Sequence, residues 1–331
     1  MAAGAAAVSS TQAIVRVALW YGVTLLSNYF GNYFVHYREE AAILSPDISL
    51  SEMLVCTTWG IITLWALGLP VLPPPEVRSR LLFVAAANAS AVRCFYMSAA
   101  LIQLSLLQTV RSCQPLVVTV VVYLAFNETY SLATYLTLIP ITVGFSLAAG
   151  GDPMFEATGF LFGICSMCSL VGVNVLSRYT LAAAGASGTK IHPLQLQAWM
   201  TAGSLFLLTA MDIGFSSGGW GRMLAAANAS EGGTTLITLA AVEGTLYHMS
   251  NVGTFTSIEI FDPLSFAIID TLRRLCVVVS GFLYQGNPCT MVNACGIVLV
   301  IGGAGAYNVV KGRAAAAAAE KKDDPQKTKK A

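Results

Sequence analysis

Charge is what this sequence has least of. Only 11% of its 331 residues are Asp, Glu, Lys or Arg, against about a quarter in a soluble globular domain. With 56% of the residues hydrophobic, the chain cannot cover a water-facing surface, and an integral membrane protein is expected. The formal net charge is +1, which leaves no basic excess for nucleic acid. Polar stretches are scarce as well. The sizeable ones are residues 37–49, 70–80, 178–192, 216–233 and the tail after Lys311, too short for a separate soluble domain. No nucleophile–base pair can be assembled, so an enzyme is not expected. The eight cysteines lie within or beside apolar runs. The CSMC of residues 165–168 has no partner ligands at zinc spacing, so thiols packed between helices are expected, with no metal and no cofactor.

What is present is apolar sequence in lengths near the 20 residues that cross a hydrocarbon core of about 30 Å. Ten such runs fall at 13–36, 50–69, 81–101, 103–126, 132–150, 157–177, 193–215, 234–258, 262–285 and 289–310. Lysine and arginine in short loops stay cytoplasmic. Loops after even-numbered spans carry Arg78, Arg80, Arg178 and Lys190, and the tail adds Lys311, Arg313, Lys321, Lys322, Lys327, Lys329 and Lys330, against Arg38 and Arg222 in the odd-numbered loops. Both termini are therefore expected in the cytosol. MAAGAAAVSS at the start shows no cleavable presequence. Of the sequons at Asn88, Asn127 and Asn228, only Asn228 falls where glycosylation could act, with chance occurrence the plainer account.

Ten spans divide into halves of five, about 13–150 and 157–310, and an odd number per half inverts one half relative to the other, as in many transporters. Both halves end alike. LAFNETYSLATYL joins spans four and five and FLYQGNPCTMVNA joins nine and ten, each an aromatic, a short polar turn and a new helix. Inside the spans stand Arg93, Arg111, Glu243, Asp270, Arg273 and Arg274, four positive charges against two negative. Each costs roughly 3 kcal/mol on insertion scales and faces a cavity or a partner. Asp270 lies three and four residues before the arginine pair and is placed to pair with one of them. The excess positive charge asks for an anion, and the guanidinium fork suits carboxylate or phosphate oxygens. Arg111 precedes Pro115 by four residues, which weakens the fourth helix at that point.

Three blocks, LSLLQTVRSCQPLVVTVVVYLAFNETYSLATYLTLIPITVGFSLAA, GFLFGICSMCSLVGVNVLSRYTL and FDPLSFAIIDTLRRLCVVVSGFLYQGNPCTMVNACGIVLVIGGAGAYNVVK, resemble the triose-phosphate/sugar-phosphate translocators of the drug/metabolite transporter superfamily. The resemblance runs from Trp20 to Lys311. It implies an all-α integral membrane fold of ten transmembrane helices in an inverted five-plus-five repeat, an N-terminal tail over 1–12, a transporter domain over 13–311 and a basic cytosolic tail over 312–331. It implies antiport of phosphorylated sugars or related organic phosphates against inorganic phosphate across an organellar membrane. A lysine of the fourth helix and a Lys-Arg pair of the ninth clamp phosphate in phosphate-binding members, and these align with Arg111, Arg273 and Arg274. Other positions depart from the family. A histidine and a threonine of the third helix are here Val92 and Phe95, a tyrosine of the eighth is Ser250, and the glutamate before the proline of the fourth is Gln114. Tyr247, His248 and Asn251 stand near the altered tyrosine position, and Arg93 is a further supporting candidate.

The changed pocket leaves a second reading, a nucleotide-sugar/nucleoside-monophosphate antiporter. A non-transporting membrane scaffold or sensor is the reading from outside that class. Membrane lipid is the surrounding partner. The terminal KTKKA matches a pattern read by coat proteins that return cargo to the endoplasmic reticulum, though a solvated basic tail explains Lys327 and Lys329 equally. Endoplasmic reticulum or Golgi membranes are thus expected, with the outer membranes of a complex plastid as the alternative.

Overall fold

The structure, a computed structural model, describes residues 10–126, 131–152, 155–186, 191–215, 218–229, 232–261, 263–284 and 290–323. Among the described residues every regular element is helical. In chain order the helices are α1 (Ser10–Tyr37), α2 (Ser45–Ala66), α3 (Pro75–Ala99), α4 (Leu104–Ser112), α5 (Gln114–Phe126), α6 (Leu132–Leu136), α7 (Leu138–Gly150), α8 (Ala157–Ala186), α9 (Pro193–Gly214), α10 (Gly219–Ala227), α11 (Gly233–Ile260), α12 (Pro263–Tyr284) and α13 (Met291–Asp323).

Among the described residues six stretches can cross a membrane by length and composition: Ser45–Ala66, Pro75–Ala99, Leu104–Val121, Leu132–Gly150, Ala157–Gly185 and Met291–Ala314. A seventh is the α9–α10 pair, bent by 100°. The chain is thus a multi-pass membrane protein. Three of the ten expected spans, α1, α11 and α12, are long helices of 28, 28 and 22 residues that stand outside those seven. Large apolar side chains such as Trp65, Phe206 and Leu124 point outward, as lipid contact requires.

Two expected spans are each two helices, and prolines account for both breaks. Pro115 and Pro140 have no N–H for the carbonyl four residues earlier, so the 103–126 run breaks at Cys113 and the 132–150 run at Thr137. A third difference lies at 216–233, expected as a loop, where α10 forms. Gly218 at φ +70 turns the chain into it, and the Asp212 carboxylate accepts from the N–H groups of Gly219 at 2.8 Å and Trp220 at 3.1 Å, covering amides that a helix start leaves open. Arg222 of α10 then forms a two-pronged pair with Asp47 of α2, both contacts 2.8 Å.

The chain forms two compact units, Met1–Leu107 with Glu156–Ser257, and Gln108–Phe155 with Ile258–Ala331. Each draws helices from both sequence halves. In the first unit α3 packs along α8 and α9, and α2 along α9, with side chains reaching backbone across the contacts. Ser98 Oγ donates to Gly159 O at 2.7 Å, Ser166 Oγ to Ala91 O at 2.7 Å and Ser204 Oγ to Ala85 O at 2.9 Å. α11 lies against α1, where Thr24 and Ser250 share a 2.7 Å hydrogen bond, and against α2, where Cys56 Sγ donates to Gly244 O at 3.5 Å and Trp59 Nε1 to Thr245 Oγ1 at 2.9 Å. In the second unit α13 packs on α7 and α12 around Ala148, Val278, Ile297 and Ile301.

The α7–α13 contact is backbone against backbone. A Cβ on Gly144 would stand 2.6 Å from the Gly296 carbonyl oxygen and 2.7 Å from Val300 N, and such small-residue approaches hold membrane helices together where no hydrophobic force can. Gly144→Leu should therefore destabilise by about 1–3 kcal/mol through overpacking, read as a lowered thermal unfolding midpoint in detergent. Gly302→Leu on the same helix α13, with nothing within 4 Å of its Cβ position, should leave the midpoint where it is.

Candidate anion site

Arg111 lies in the last turn of α4, and Gln114 and Pro115 begin α5. Proline is tolerated in a first helical turn, where its missing N–H costs nothing to the helix it starts. Its cost falls on the preceding turn, where the Arg111 carbonyl loses the amide that would have covered it. Arg274 of α12 supplies the donor: its Nη1 gives a hydrogen bond to Arg111 O at 3.2 Å, and its Nη2 one to Gln114 Oε1 at 3.4 Å.

One turn earlier on α12, Asp270 holds both arginines. Arg273 donates from Nε at 3.0 Å and Nη2 at 2.7 Å to Oδ1, and Arg274 donates from Nε at 3.1 Å to Oδ2. Pairing with one arginine was expected. Both pair: spacings of three and four residues put both arginines on the face of Asp270, and the rotamers they adopt give each its own carboxylate oxygen. The three side chains keep about a fifth of their surface open, 18% and 21% for the arginines and 20% for Asp270.

Arg111, Arg273, Arg274 and Asp270 all belong to this unit, and among these four positive charge exceeds negative by two. Arg274 commits three of its five N–H groups to the contacts above. Gln114 Nε2 is buried with no acceptor among the described residues, and a buried donor without one is costly. An oxyanion carrying two charges would balance the excess and offer acceptors to Gln114 and the guanidiniums, at the short range where charge-assisted bonds are strong.

The remaining expected site residues belong to the first unit. Arg93 is half-buried on α3, and Tyr247 and Asn251 are half-buried on α11. His248 is buried, with Nε2 3.3 Å from Thr63 Oγ1 and Nδ1 without a partner among the described residues. Ser250 is engaged by Thr24. Glu52 corrects the charge count made from sequence. It lies only two residues inside the expected 50–69 span, where a charge passes for an interfacial one, yet it is 2% exposed, like Glu243. Asp212, three residues inside the end of the expected 193–215 span, is likewise buried, at 5% exposed, so the count is four against four, with three of the acids in the first unit and the positive excess in the second.

Among the described residues no group of three or more His, Cys, Asp or Glu could hold a metal, and Cys165 and Cys168 are exposed on α8. Asn88 is buried and donates to Ser204 Oγ at 2.9 Å. Asn228 is exposed at the end of α10, its amide donating to Leu224 O at 2.9 Å. Asn127, Lys190, Cys289, Lys327 and Lys329 lie outside the described residues.

The profile of the Triose-phosphate Transporter family matches residues 11–308. Similar curated proteins include glucose-6-phosphate/phosphate translocator 2, chloroplastic, of Arabidopsis thaliana, 24% identical over 90% of this chain and 74% of that protein. The xylulose 5-phosphate/phosphate translocator, chloroplastic, of the same plant is 25% identical over 88% and 68%. The triose phosphate/phosphate translocator, chloroplastic, of Flaveria pringlei is 23% identical over 89% and 70%.

Because Asp270 serves two arginines, its loss should cost more than the loss of either. Asp270→Ala leaves two guanidiniums uncompensated and should destabilise by about 3 kcal/mol or more, whereas Arg273→Ala leaves Asp270 paired with Arg274 and should cost less. Thermal unfolding of the purified variants measures the order. Added inorganic phosphate should raise the midpoint of Asp270→Ala, by restoring a negative charge beside the arginines.

Proposed function

We propose that this chain, which belongs to the Triose-phosphate Transporter family, is a secondary antiporter that exchanges phosphorylated sugars or related organic phosphates for inorganic phosphate across an organellar membrane. Arg111, Arg273 and Arg274 bind the phosphate group and Asp270 orients the arginine pair. The observation that carries this reading is the α12 arginine pair, braced by one carboxylate and tied to the α4–α5 break. Fixed positive charge in a low-dielectric site is costly when uncompensated, so the loaded carrier reorients more readily than the empty one, which makes exchange the favoured mode.

The membrane frame we propose is the ten-helix inverted repeat over 13–311, with tails at 1–12 and 312–331. Counting α4–α5, α6–α7 and α9–α10 as single spans, the helix pairings support it. Exchanging span n with span n+5 maps the α2–α9 and α7–α13 pairs onto themselves, α3–α8 onto α11–α1 and α3–α9 onto α11–α2, and all of these contacts are made. The ends agree with alternating sides. Arg80 stacks on the Tyr179 ring, 5.6 Å to its centroid, and Trp199 donates to Val71 O at 2.6 Å, gathering the even-numbered loops. Tyr37 donates to Gly232 O at 3.1 Å and Arg222 pairs with Asp47, gathering the odd-numbered ones. We assign the even-numbered side and both termini to the cytosol, in membranes of the early secretory pathway that coat proteins recognise through the tail lysines, with plastid outer membranes as the alternative.

A nucleotide-sugar antiporter is the second reading, favoured by Val92, Phe95 and Ser250 at the altered positions. Ser250 is already bonded to Thr24 and so offers a substrate less than a tyrosine hydroxyl would.

In proteoliposomes, internal phosphate should accelerate uptake of labelled phosphate or sugar phosphate severalfold. Alanine at Arg273, Arg274 or Arg111 should lower exchange by about tenfold or more, since a charge-assisted bond is worth roughly 1.5–3 kcal/mol. Lysine at Arg111 or Arg273 should retain part of the rate. Alanine variants that fold and exchange at the wild-type rate would make the arginines structural, and acceleration by nucleoside monophosphates alone would favour the second reading. Asn228→Cys should react only with lumenal thiol reagents in sealed vesicles, and Lys327→Ser with Lys329→Ser should move a tagged chain forward from the endoplasmic reticulum. Cytosolic labelling of the first or unchanged distribution of the second overturns the respective assignment.

A further inference from the structure

Outside the anion site, the first unit buries two acids together. Glu52 of α2 and Glu243 of α11 are each 2% exposed. Cys56 lies one turn beyond Glu52 on the same face, Gly244 directly follows Glu243, and the 3.5 Å bond from Cys56 Sγ to Gly244 O brings the two carboxyl-bearing residues within about one turn of each other along the α2–α11 contact. The phenol of Tyr96 on α3 stands within hydrogen-bonding reach of both carboxyls. Glu243 also lies over Gly31 of α1, its Oε1 3.7 Å from where a Cβ would stand. Four helices thus converge on the pair. A separate observation is that Glu243 Oε2 is buried with no hydrogen-bond partner among the described residues, and a buried carboxyl oxygen in that position calls for a donor.

We infer that Glu52 and Glu243 form a proton-binding site, one exchangeable proton held between two carboxyls, and that its loading and release are coupled to anion exchange. This rests on the antiporter reading above. Two carboxyl groups side by side in a low-dielectric interior do not both ionise, and one proton placed between them gives Glu243 Oε2 its missing donor. When the packing of α1, α2, α3 and α11 loosens enough to admit water, the proton passes to water and leaves two hydrated carboxylates. Resealing takes a proton back. States that differ in hydration here differ in proton affinity, so pH biases their populations. The titratable groups facing the pair are Tyr96 of α3, Cys56 of α2 and, beside Tyr96, Tyr247 of α11; α1 presents Gly31. A phosphomonoester carries about 1.5 to 2 negative charges at neutral pH, so a proton moving with exchange adjusts the net charge carried per turnover.

The full chain in proteoliposomes provides the test, with labelled inorganic phosphate outside, phosphate or glucose 6-phosphate inside and a pH dye in the lumen. Wild-type exchange should change by about threefold or more between about pH 5 and 8 and move protons that the dye reports. Glu243→Gln and Glu52→Gln, which keep the shape of the protonated acid, should give a flatter profile and no dye signal, while Glu243→Asp should keep the dependence with a displaced midpoint. Gln variants that exchange phosphate with the wild-type profile and proton movement overturn the inference, as does exchange that follows sodium rather than pH. If wild-type protein exchanges no phosphate compound, the antiporter reading fails by itself. The pair is then decided by infrared titration of the purified protein, where a carboxylic C=O band removed by Glu243→Gln supports the site and its absence overturns it.

Discussion

Pro115 withholds one N–H, and the second unit is arranged around the carbonyl oxygen left over. In an unbroken helix the amide of residue 115 would cover Arg111 O. Here a guanidinium from α12 does so, which ties that helix to the α4–α5 break and fixes Arg274 on three sides, Nε on Asp270, Nη1 on Arg111 O and Nη2 on Gln114. A side chain held this way has lost its rotamer freedom before any ligand arrives, so little ordering cost remains to be met on binding. On the proposed function, an incoming phosphate oxygen competes for the same N–H groups that bridge α12 to the break. Ligand binding and the joint between these helices are then linked through one guanidinium.

Asp270 sets the other half of that balance. With one carboxylate oxygen for each arginine, it neutralises part of the cluster without removing its excess. A second carboxylate here would compete with the ligand for the guanidiniums. The family's glutamate at the position of Gln114 would have been such a group, whereas the amide keeps an acceptor for Arg274 and adds the unmet donor Nε2.

Much of this was legible from residue types. Asp270, Arg273 and Arg274 share a helical face by spacing alone, and the arginine excess of the second unit follows from counting charges inside its apolar runs. The shared use of Asp270 was not legible, because it depends on side-chain rotamers that spacing leaves open. The carbonyl acceptor on Arg111 was implicit in the Arg111–Pro115 interval but needed a distant helix to answer it, and no local pattern names the partner. Glu52 was lost through its place near a span end, where burial is decided by α3 and α11 rather than by α2. The helix α10 was lost in a Gly- and Ser-rich stretch, since its start rests on Asp212 and its docking on Asp47, both remote in sequence from the residues they hold.

Alternating access needs some interfaces that hold and others that yield, and the contacts sort themselves by chemistry. Where α7 meets α13, glycine lets backbones touch, and Asn293 Nδ2 locks Ala148 O at 2.7 Å. Separating them would expose backbone polar groups with nothing to replace their partners. The seam between α2 and α11 is built otherwise, from a 3.5 Å thiol bond, an indole–hydroxyl bond and a 3.3 Å imidazole–hydroxyl contact. Each of these weak polar contacts can be exchanged for water at small cost. On the proposed function, opening would be least expensive along this seam, where Glu52 and Glu243 stand, on the surfaces that hydration would reach.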